Sequence, residues 1–504
     1  MAKKKKILVL YPGTMNRARI ALAVPLLLGI AKKRAWWVKY FDTAFYEKED
    51  DSVIAKEKSG GFRPSPMETT PGMIPKEQLV GDVQAIIDDF QPNLIAITAM
   101  TCDYQYLMSF LPRLKIPKES LIIIGGHHAT FSEEKVINTG LFDLVCIGQG
   151  EKTYDEILEK IEKDKPIDRI MGTVFFDKKS KKIKNNGLRK LISAEELWKF
   201  PLDYSFFDER YYKYPFDGKT VNMFWLEVGR GCPFNCTYCG APQLRNKYTG
   251  LGQYLTIRPL DSIFKTIKQI NKHYQIDIFN ITHECFLMQP KVWLEEFANR
   301  WAKEVGKGFL IQTRVETINQ EMLDILKKSK APVIQIGLGI ESGSKRILEE
   351  ICNRKMKIED LVEAYKLMNQ NGFRTNAYYM LGFPTETREE IFETIDLCKK
   401  VKAQINSVNI FQPYPELPLT KMCIEKGYMK GDEVVPSVTD VSILQMPSIS
   451  AGEIANLRRV FMLYAKLPKK YWPDIEKCEK GYEPNKDLYD KLLNLRWEYE
   501  KKHV

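Results

Sequence analysis

The chain predicts an α/β protein with two parallel-sheet domains and a helical tail: a doubly wound sheet, then a partial (β/α)6 barrel. Three observations predict it. Apolar strand-like runs alternate with helix-like segments in two series, the mark of parallel sheets with crossover helices. A Lys-, Tyr- and Phe-rich stretch separates the series. Three cysteines within eight residues follow the first strand of the second series. The expected divisions are residues 1–167, a linker at 168–221, the barrel at 222–430 and the tail at 431–504.

The 504 residues are too many for one ordinary core, and 44% hydrophobic with 11% aromatic content is globular. The net charge of +11 arises from 76 basic residues mixed with 65 acidic ones. The densest basic stretch, Lys178–Lys190, reads as a polar turn and edge, so no nucleic-acid partner is expected. The N-terminal apolar run Ile7–Leu10 is shorter than a signal-peptide core and reads as a first strand. No apolar stretch is long enough for a membrane span, and a reducing cytoplasm is the expected location.

In the first series the strands are Ile7–Tyr11, Trp36–Phe41, Leu94–Thr98, Leu121–Ile124 and Leu144–Ile147. Helical segments near Ala18–Lys32, Lys76–Phe90, Tyr104–Leu114, Ser132–Asn138 and Tyr154–Lys163 alternate with them. Glu47–Pro75 is a long Gly-, Pro- and Ser-containing excursion, and Gly172–Phe176 suggests a small hairpin. The second series has strands at Phe224–Val228, Ile276–Ile281, Phe309–Gln312, Val333–Ile336, Thr375–Met380 and Ser407–Phe411. In both architectures ligands sit beyond the carboxyl ends of the strands, so those loops carry the chemistry.

The segment Gly231-Cys232-Pro233-Phe234-Asn235-Cys236-Thr237-Tyr238-Cys239-Gly240 is the most informative one. Its glycines and Pro233 oppose a regular helix, so three thiols converge from a loop. Structural zinc takes four protein ligands, and the nearest histidine, His273, is far along the chain. An iron–sulfur cube held by Cys232, Cys236 and Cys239 leaves one iron open to an outside ligand.

C-x3-C-x-Y-C after the first barrel strand resembles the radical SAM superfamily. Gly337-Leu338-Gly339-Ile340-Glu341-Ser342-Gly343 is similar to that family's fourth-strand end. Leu381-Gly382-Phe383-Pro384-Thr385-Glu386-Thr387 is similar to its adenine-side turn, and Phe411-Gln412-Pro413 to its sixth-strand end. The resemblance implies a [4Fe–4S] cluster and S-adenosyl-L-methionine (SAM) bound near Tyr238, Glu341, Ser342, Gly382 and Pro384. Arg314, at the third strand end, either pairs with the SAM carboxylate or forms an ordinary surface ion pair.

A doubly wound domain ahead of such a barrel resembles the cobalamin-binding class of that superfamily, with a flavodoxin-like first domain. The loops carrying this resemblance are Thr98-Ala99-Met100-Thr101, Gly125-Gly126-His127 and Gly148-Gln149-Gly150-Glu151. It implies that Thr98, Met100, Thr101, Gly125, Gly126, His127, Gly148, Gly150 and Glu151 touch cobalamin. The D-x-H-x-x-G cobalt-ligand signature is absent, so no lower histidine ligand is expected. Met100, Thr101 and Cys102 are the candidates for lining the lower face, although a lone cysteine such as Cys102 is more often simply packed.

Methylthiotransferases also join an α/β domain to this barrel, but they need a second three-cysteine set, and the first domain has only Cys102 and Cys146. The resemblance to the cobalamin class implies transfer of a SAM methyl group, via methylcobalamin, to an unactivated carbon or phosphorus centre. The alternative is a cobalamin-dependent cyclisation or rearrangement without methylation. His283 and Cys285, after the second barrel strand, are the candidate catalytic residues, with local packing as the competing reading. The resemblance further implies a small-molecule, lipid or peptide substrate and an electron donor such as flavodoxin or ferredoxin.

Overall fold

A computed structural model describes residues 4–14, 20–47, 59 and 73–503. Most of the expected excursion at 47–75, and Met15–Arg17 after the first strand, lie outside these residues.

The first sheet has strands β1 (Lys6–Tyr11), β2 (Trp37–Asp42), β3 (Leu94–Thr98), β4 (Leu121–Gly125), β5 (Leu144–Cys146), β6 (Thr173–Asp177) and β7 (Lys182–Asn185). Their spatial order is β2-β1-β3-β4-β5-β6-β7. The first five are parallel, in the doubly wound order whose reversal beside β1 opens a crevice at the carboxyl ends. Residues of β1, β3 and β4 alternate between two cores, one on each face of the sheet. Ile7, Val9, Leu94 and Ile123 enter one, and Leu8, Leu10, Ile95 and Ile124 the other. The hairpin expected near Gly172–Phe176 exists as β6–β7. It pairs antiparallel with β5 and so extends the first sheet.

The second sheet runs β16-β15-β14-β13-β12-β9-β8. Its members are β8 (Lys213–Phe216), β9 (Lys219–Glu227), β12 (Ile278–Thr282), β13 (Gly308–Thr313), β14 (Ile334–Glu341), β15 (Arg374–Leu381) and β16 (Ile405–Ile410). Strands β9, β12, β13, β14, β15 and β16 are the six parallel strands expected, separated by helices such as Leu260–Asn271, Lys291–Glu304 and Ile358–Gln370. The short ribbon β10 (Gly229–Arg230) with β11 (Thr256–Ile257) frames the loop between β9 and β12.

Strand β8 was not expected. It pairs antiparallel with β9 through a two-residue turn, Asp217-Gly218, with both φ angles positive, as such hairpins require. From the turn, Asp217 forms an ion pair with Arg374 at the start of β15, and Arg374 lies 4.3 Å over the Phe216 ring. The hairpin thus reaches across the amino end of the half-barrel, opposite the strand ends that carry chemistry.

The tail forms helices Ala451–Lys466, Trp472–Lys480 and Lys486–His503. The first packs on the open β16 edge. Arg458 donates to the Val408 carbonyl at 3.0 Å, and Phe461 meets Tyr379 at 5.4 Å between ring centroids. Among the described residues, no helix is long and apolar enough to cross a membrane.

Candidate active site between the two sheets

The cysteine loop leaves β9 through the β10 ribbon and turns at Gly231, whose φ of 99° strains any side-chain-bearing residue. A Cβ there would also meet the Tyr254 ring at 3.1 Å. The loop is tied down along its length. Arg245 donates to the Cys232 carbonyl at 2.7 Å, Asn353 to the Asn235 carbonyl at 3.0 Å, and the Thr237 amide to the Cys352 carbonyl at 3.2 Å. The Ile351 and Cys352 carbonyls belong to a π-helical turn at Ile347–Ile351 and the residue after it. Such turns free carbonyls from the helix ladder, and here Thr237 takes both.

The three thiols face one another. Burial, and secondarily the Cys236 and Cys232 thiolates, push the Cys239 thiol up to about 11, and Cys232 is raised for the same reasons. Three thiolates so placed repel unless a cationic centre lies among them. Among the described residues no three of His, Cys, Asp and Glu stand close enough to chelate a single ion. Arg314 donates to Cys236 Sγ at 3.1 Å, stacks 3.8 Å over Phe234 and pairs with Glu316. It therefore serves both in an ion pair and as a donor to the Cys236 thiol.

Beside Tyr238 a buried charge pair closes the site. Arg354 donates to Glu341 at 2.9 Å, to the Tyr238 hydroxyl at 3.1 Å and to the Gly339 carbonyl at 2.8 Å. Tyr238 donates to the same Glu341 oxygen at 2.9 Å. A residue larger than glycine at 339 would strike that oxygen. Ser342 is fully buried, 3.2 Å from the Thr394 hydroxyl, and accepts from the Ser344 amide at 3.1 Å, so it shapes the turn. Gly382, at φ 80°, and Pro384 are buried in a turn whose amides at Gly382 and Phe383 donate to Glu386. Phe383 packs edge-on against Tyr238 at 5.8 Å.

The first-domain loops meet this site. Glu151 heads the helix Glu151–Glu162 and is 2% exposed. Its Oε1 lies 2.6 Å from Arg230, which also reaches Glu227 at 2.7 Å. The Gln149 amide donates to the Tyr248 hydroxyl. His127 is exposed yet within electrostatic reach of Glu284 and Arg230, and burial in the cleft holds its pKa down. Glu284 itself accepts from the Gly231 amide at 3.1 Å. His127 and the Gln149–Glu151 loop therefore lie beside the segment that carries the cysteines.

The glycines in these loops have a different reason than ligand approach alone. Gly126 (φ 103°) and Gly148 (φ 74°) sit where a Cβ would meet the Ala99 carbonyl and the Tyr248 hydroxyl, whereas Gly150 faces open space. Thr98 ends β3, and Met100 is 52% exposed at the start of helix Thr101–Phe110. Thr101 is 3.3 Å from His128 Nδ1, and Cys102 is directed at the Pro436 carbonyl, 3.9 Å away. Of the lower-face candidates, Met100 is therefore the one open to the cleft.

The two catalytic candidates part company. Cys285 is fully buried, with Sγ 3.4 Å from the Thr313 hydroxyl, as a packed residue would be, because the β12 end turns it toward β13. His283 lines a cavity of about 680 Å³. Its Nδ1 accepts from the Cys285 amide at 2.9 Å, and its Nε2 lies 2.6 Å from the Gln289 side-chain nitrogen. Burial lowers its pKa to about 4, so the ring is neutral near pH 7.

The radical SAM superfamily profile matches residues 226–398, and the B12 binding domain profile matches residues 70–158. The chain carries a radical SAM domain and a B12-binding domain. A methyltransferase of Pyrococcus horikoshii, otherwise uncharacterized, is 24% identical over 78% of this chain and 83% of its own. The cytidylyl-2-hydroxyethylphosphonate methyltransferase of Streptomyces wedmorensis is 24% identical over 75% of this chain and 76% of its own. The cobalamin-dependent S-adenosylmethionine radical enzyme OxsB, solved with aqua-cobalamin and S-adenosylmethionine bound, superposes with a TM-score of 0.64 at 13% identity. That match covers 99% of this chain and 72% of OxsB. The matched profiles thus mark a radical SAM enzyme with a B12-binding domain.

Sequence reasoning missed Arg230, Arg354, Tyr248 and the carbonyl clamp at Ile351–Cys352. Arg230 adjoins the cysteine loop and Glu151 was already singled out, so only their pairing was hidden. Arg354 stands 13 positions beyond Glu341, and nothing in the linear spacing announces that contact.

Proposed function

We propose that this enzyme transfers a methyl group from SAM, with cobalamin as carrier, to an unactivated carbon or phosphorus centre. The observation that carries the reading is the closed seam between the two cofactor loops, where Glu151 of the first domain meets Arg230 two residues before Cys232. The methyltransferase relatives favour methylation over rearrangement.

When bound, the cluster supplies the electron that cleaves SAM to a 5′-deoxyadenosyl radical, and cobalamin supplies the methyl carrier. The residues described here hold and orient. Cys232, Cys236 and Cys239 would hold the cluster through three thiolates. Arg314 donates to the Cys236 sulfur, which tempers the thiolate charge. Arg354 fixes Glu341 beside Tyr238, leaving the second Glu341 oxygen to accept from the nucleoside. Neutral His283 shapes the cavity wall without moving a proton near pH 7. An electron donor such as flavodoxin or ferredoxin, and a cytoplasmic location, belong to the same reading.

The test is product analysis with reconstituted protein, SAM and a low-potential reductant. S-adenosylhomocysteine should form only when cobalamin is loaded, and 5′-deoxyadenosine only when all three loop cysteines are present. Cobalamin-independent S-adenosylhomocysteine would overturn the reading.

A further inference from the structure

The cavity of about 680 Å³ beside His283 is of the size that holds a small organic ligand. One wall is the interdomain segment at Leu191 and Ile192, and another comes from Leu255 and Ile257 around β11, with Met288 at the rim. Gly231 and Pro233 bring the cysteine loop to it, so the cavity adjoins the reacting centre. Leu255 (38%) and Met288 (46%) are among the few large apolar side chains left exposed, and both line this one cavity.

The wall is built in place. The Leu191 amide donates to the Leu251 carbonyl at 2.8 Å, and the Ile192 amide donates to the Gln149 side chain at 3.2 Å. The second bond fastens the wall to the same loop, Gly148–Glu151, that faces the cysteine loop.

A charge inventory then decides what the cavity can hold. Only two lining side chains are ionisable, Arg230 and His283. Arg230 is already matched by two carboxylates, Glu151 and Glu227. Both His283 nitrogens have partners in Cys285 and Gln289. A charged group placed here would lose its hydration and find no counter-charge, a loss that apolar walls cannot return. Of the polar lining side chains, Gln253 is exposed, while Thr256 Oγ1 is buried without a partner.

We infer that this cavity is the chamber for the methyl acceptor, and that it takes an uncharged, largely apolar group. This rests on the methyltransferase reading for the acceptor's role, but the chamber's ligand class is tested separately.

The probes are N-phenyl-1-naphthylamine, which is neutral, and 8-anilinonaphthalene-1-sulfonate, the same ring system with a sulfonate. Fluorescence titrations use the full chain with its cluster and cobalamin. The neutral probe should bind saturably at one site, at least tenfold more tightly than the anionic one. Met288→Trp and Leu255→Trp, both at exposed positions, should each fill the chamber and weaken neutral-probe binding tenfold or more. Iron content and cobalamin absorbance report that each variant has folded. Equal binding of the two probes would overturn the inference, as would unaltered neutral-probe binding in a folded filled variant. Loss of neutral-probe binding on loading cobalamin would assign the chamber to the cofactor and also overturn it. Failure of methyl transfer itself would appear in the product analysis and leave the probe results untouched.

Discussion

Arg230 Nη1 and Glu151 Oε1 lie 2.6 Å apart across the seam between the two domains. The second Glu151 oxygen is buried without a protein partner. Removing the Glu151 carboxylate leaves Arg230 with Glu227 alone and empties a buried site. Glu151→Ala should cost about 3 kcal/mol, in the range for breaking a buried pair. Chemical denaturation of the reconstituted protein measures this. A cost under about 0.5 kcal/mol, the scale of exposed pairs, would show that the seam is not held by this contact.

Ten cysteines make the cluster assignment easy to challenge. Alanine at Cys232, Cys236 or Cys239 should remove the visible charge-transfer absorbance and SAM cleavage together. Cys285→Ala and Cys352→Ala should keep both, because those thiols are packed among other side chains. Iron analysis after anaerobic reconstitution checks the series, and full iron in Cys236→Ala would be the contrary result.

Much of this was legible in the chain because the signals are local. The C-x3-C-x-Y-C spacing, Gly337–Gly343 and Leu381–Thr387 are short segments whose backbone demands fix their residues. Gly126 and Gly148, for example, occupy positive φ that other residues resist. Short apolar runs such as Leu94–Ile97 and Leu121–Ile124 likewise revealed the strands, since a parallel sheet covered on both faces needs apolar side chains on each. What stayed hidden depends on contacts distant in sequence: Arg354 on Glu341, Tyr248 on Gln149, Arg374 on Asp217. The Asp217-Gly218 pair between Phe216 and Lys219 was a readable hairpin signal, and missing it hid β8. Cys285 looked available from position alone, but the β12 end directs it into the core.

Arg354 is the hub between the SAM-side strand and the cluster loop. Arg354→Met should strand the Glu341 carboxylate in the interior and cost about 3 to 5 kcal/mol. Arg354→Lys keeps the charge but cannot serve Glu341, Tyr238 and Gly339 together, so it should fold and bind SAM tenfold or more weakly. The perturbation of the reduced cluster's paramagnetic resonance spectrum on SAM titration reads this directly. Unchanged SAM affinity in Arg354→Lys would remove the positioning role.

His283 has a pH signature. Its folded pKa of about 4 lies below the free value of 6.5, because burial disfavours the imidazolium. The neutral ring's contribution to stability is fully present above about pH 6.5 and is lost as pH falls toward 4, where the folded ring protonates. The shift corresponds to roughly 3 kcal/mol. His283→Gln should flatten the stability profile between pH 6.5 and 4 by about that amount, measured by urea unfolding. It should leave the pH dependence of 5′-deoxyadenosine formation between pH 6.5 and 8 unaltered. An activity step near pH 7 that vanishes in the variant would instead make His283 a proton carrier.

The central claim is that two SAM molecules meet different fates in one site, and a count of products tests it most directly. With an accepted substrate, SAM carrying a deuterated methyl group and a low-potential reductant, the products are quantified by mass spectrometry. S-adenosylhomocysteine and 5′-deoxyadenosine should appear in near-equal amounts, each matching the labelled, methylated product. Turnover giving 5′-deoxyadenosine and a rearranged, unmethylated product without S-adenosylhomocysteine would contradict the account.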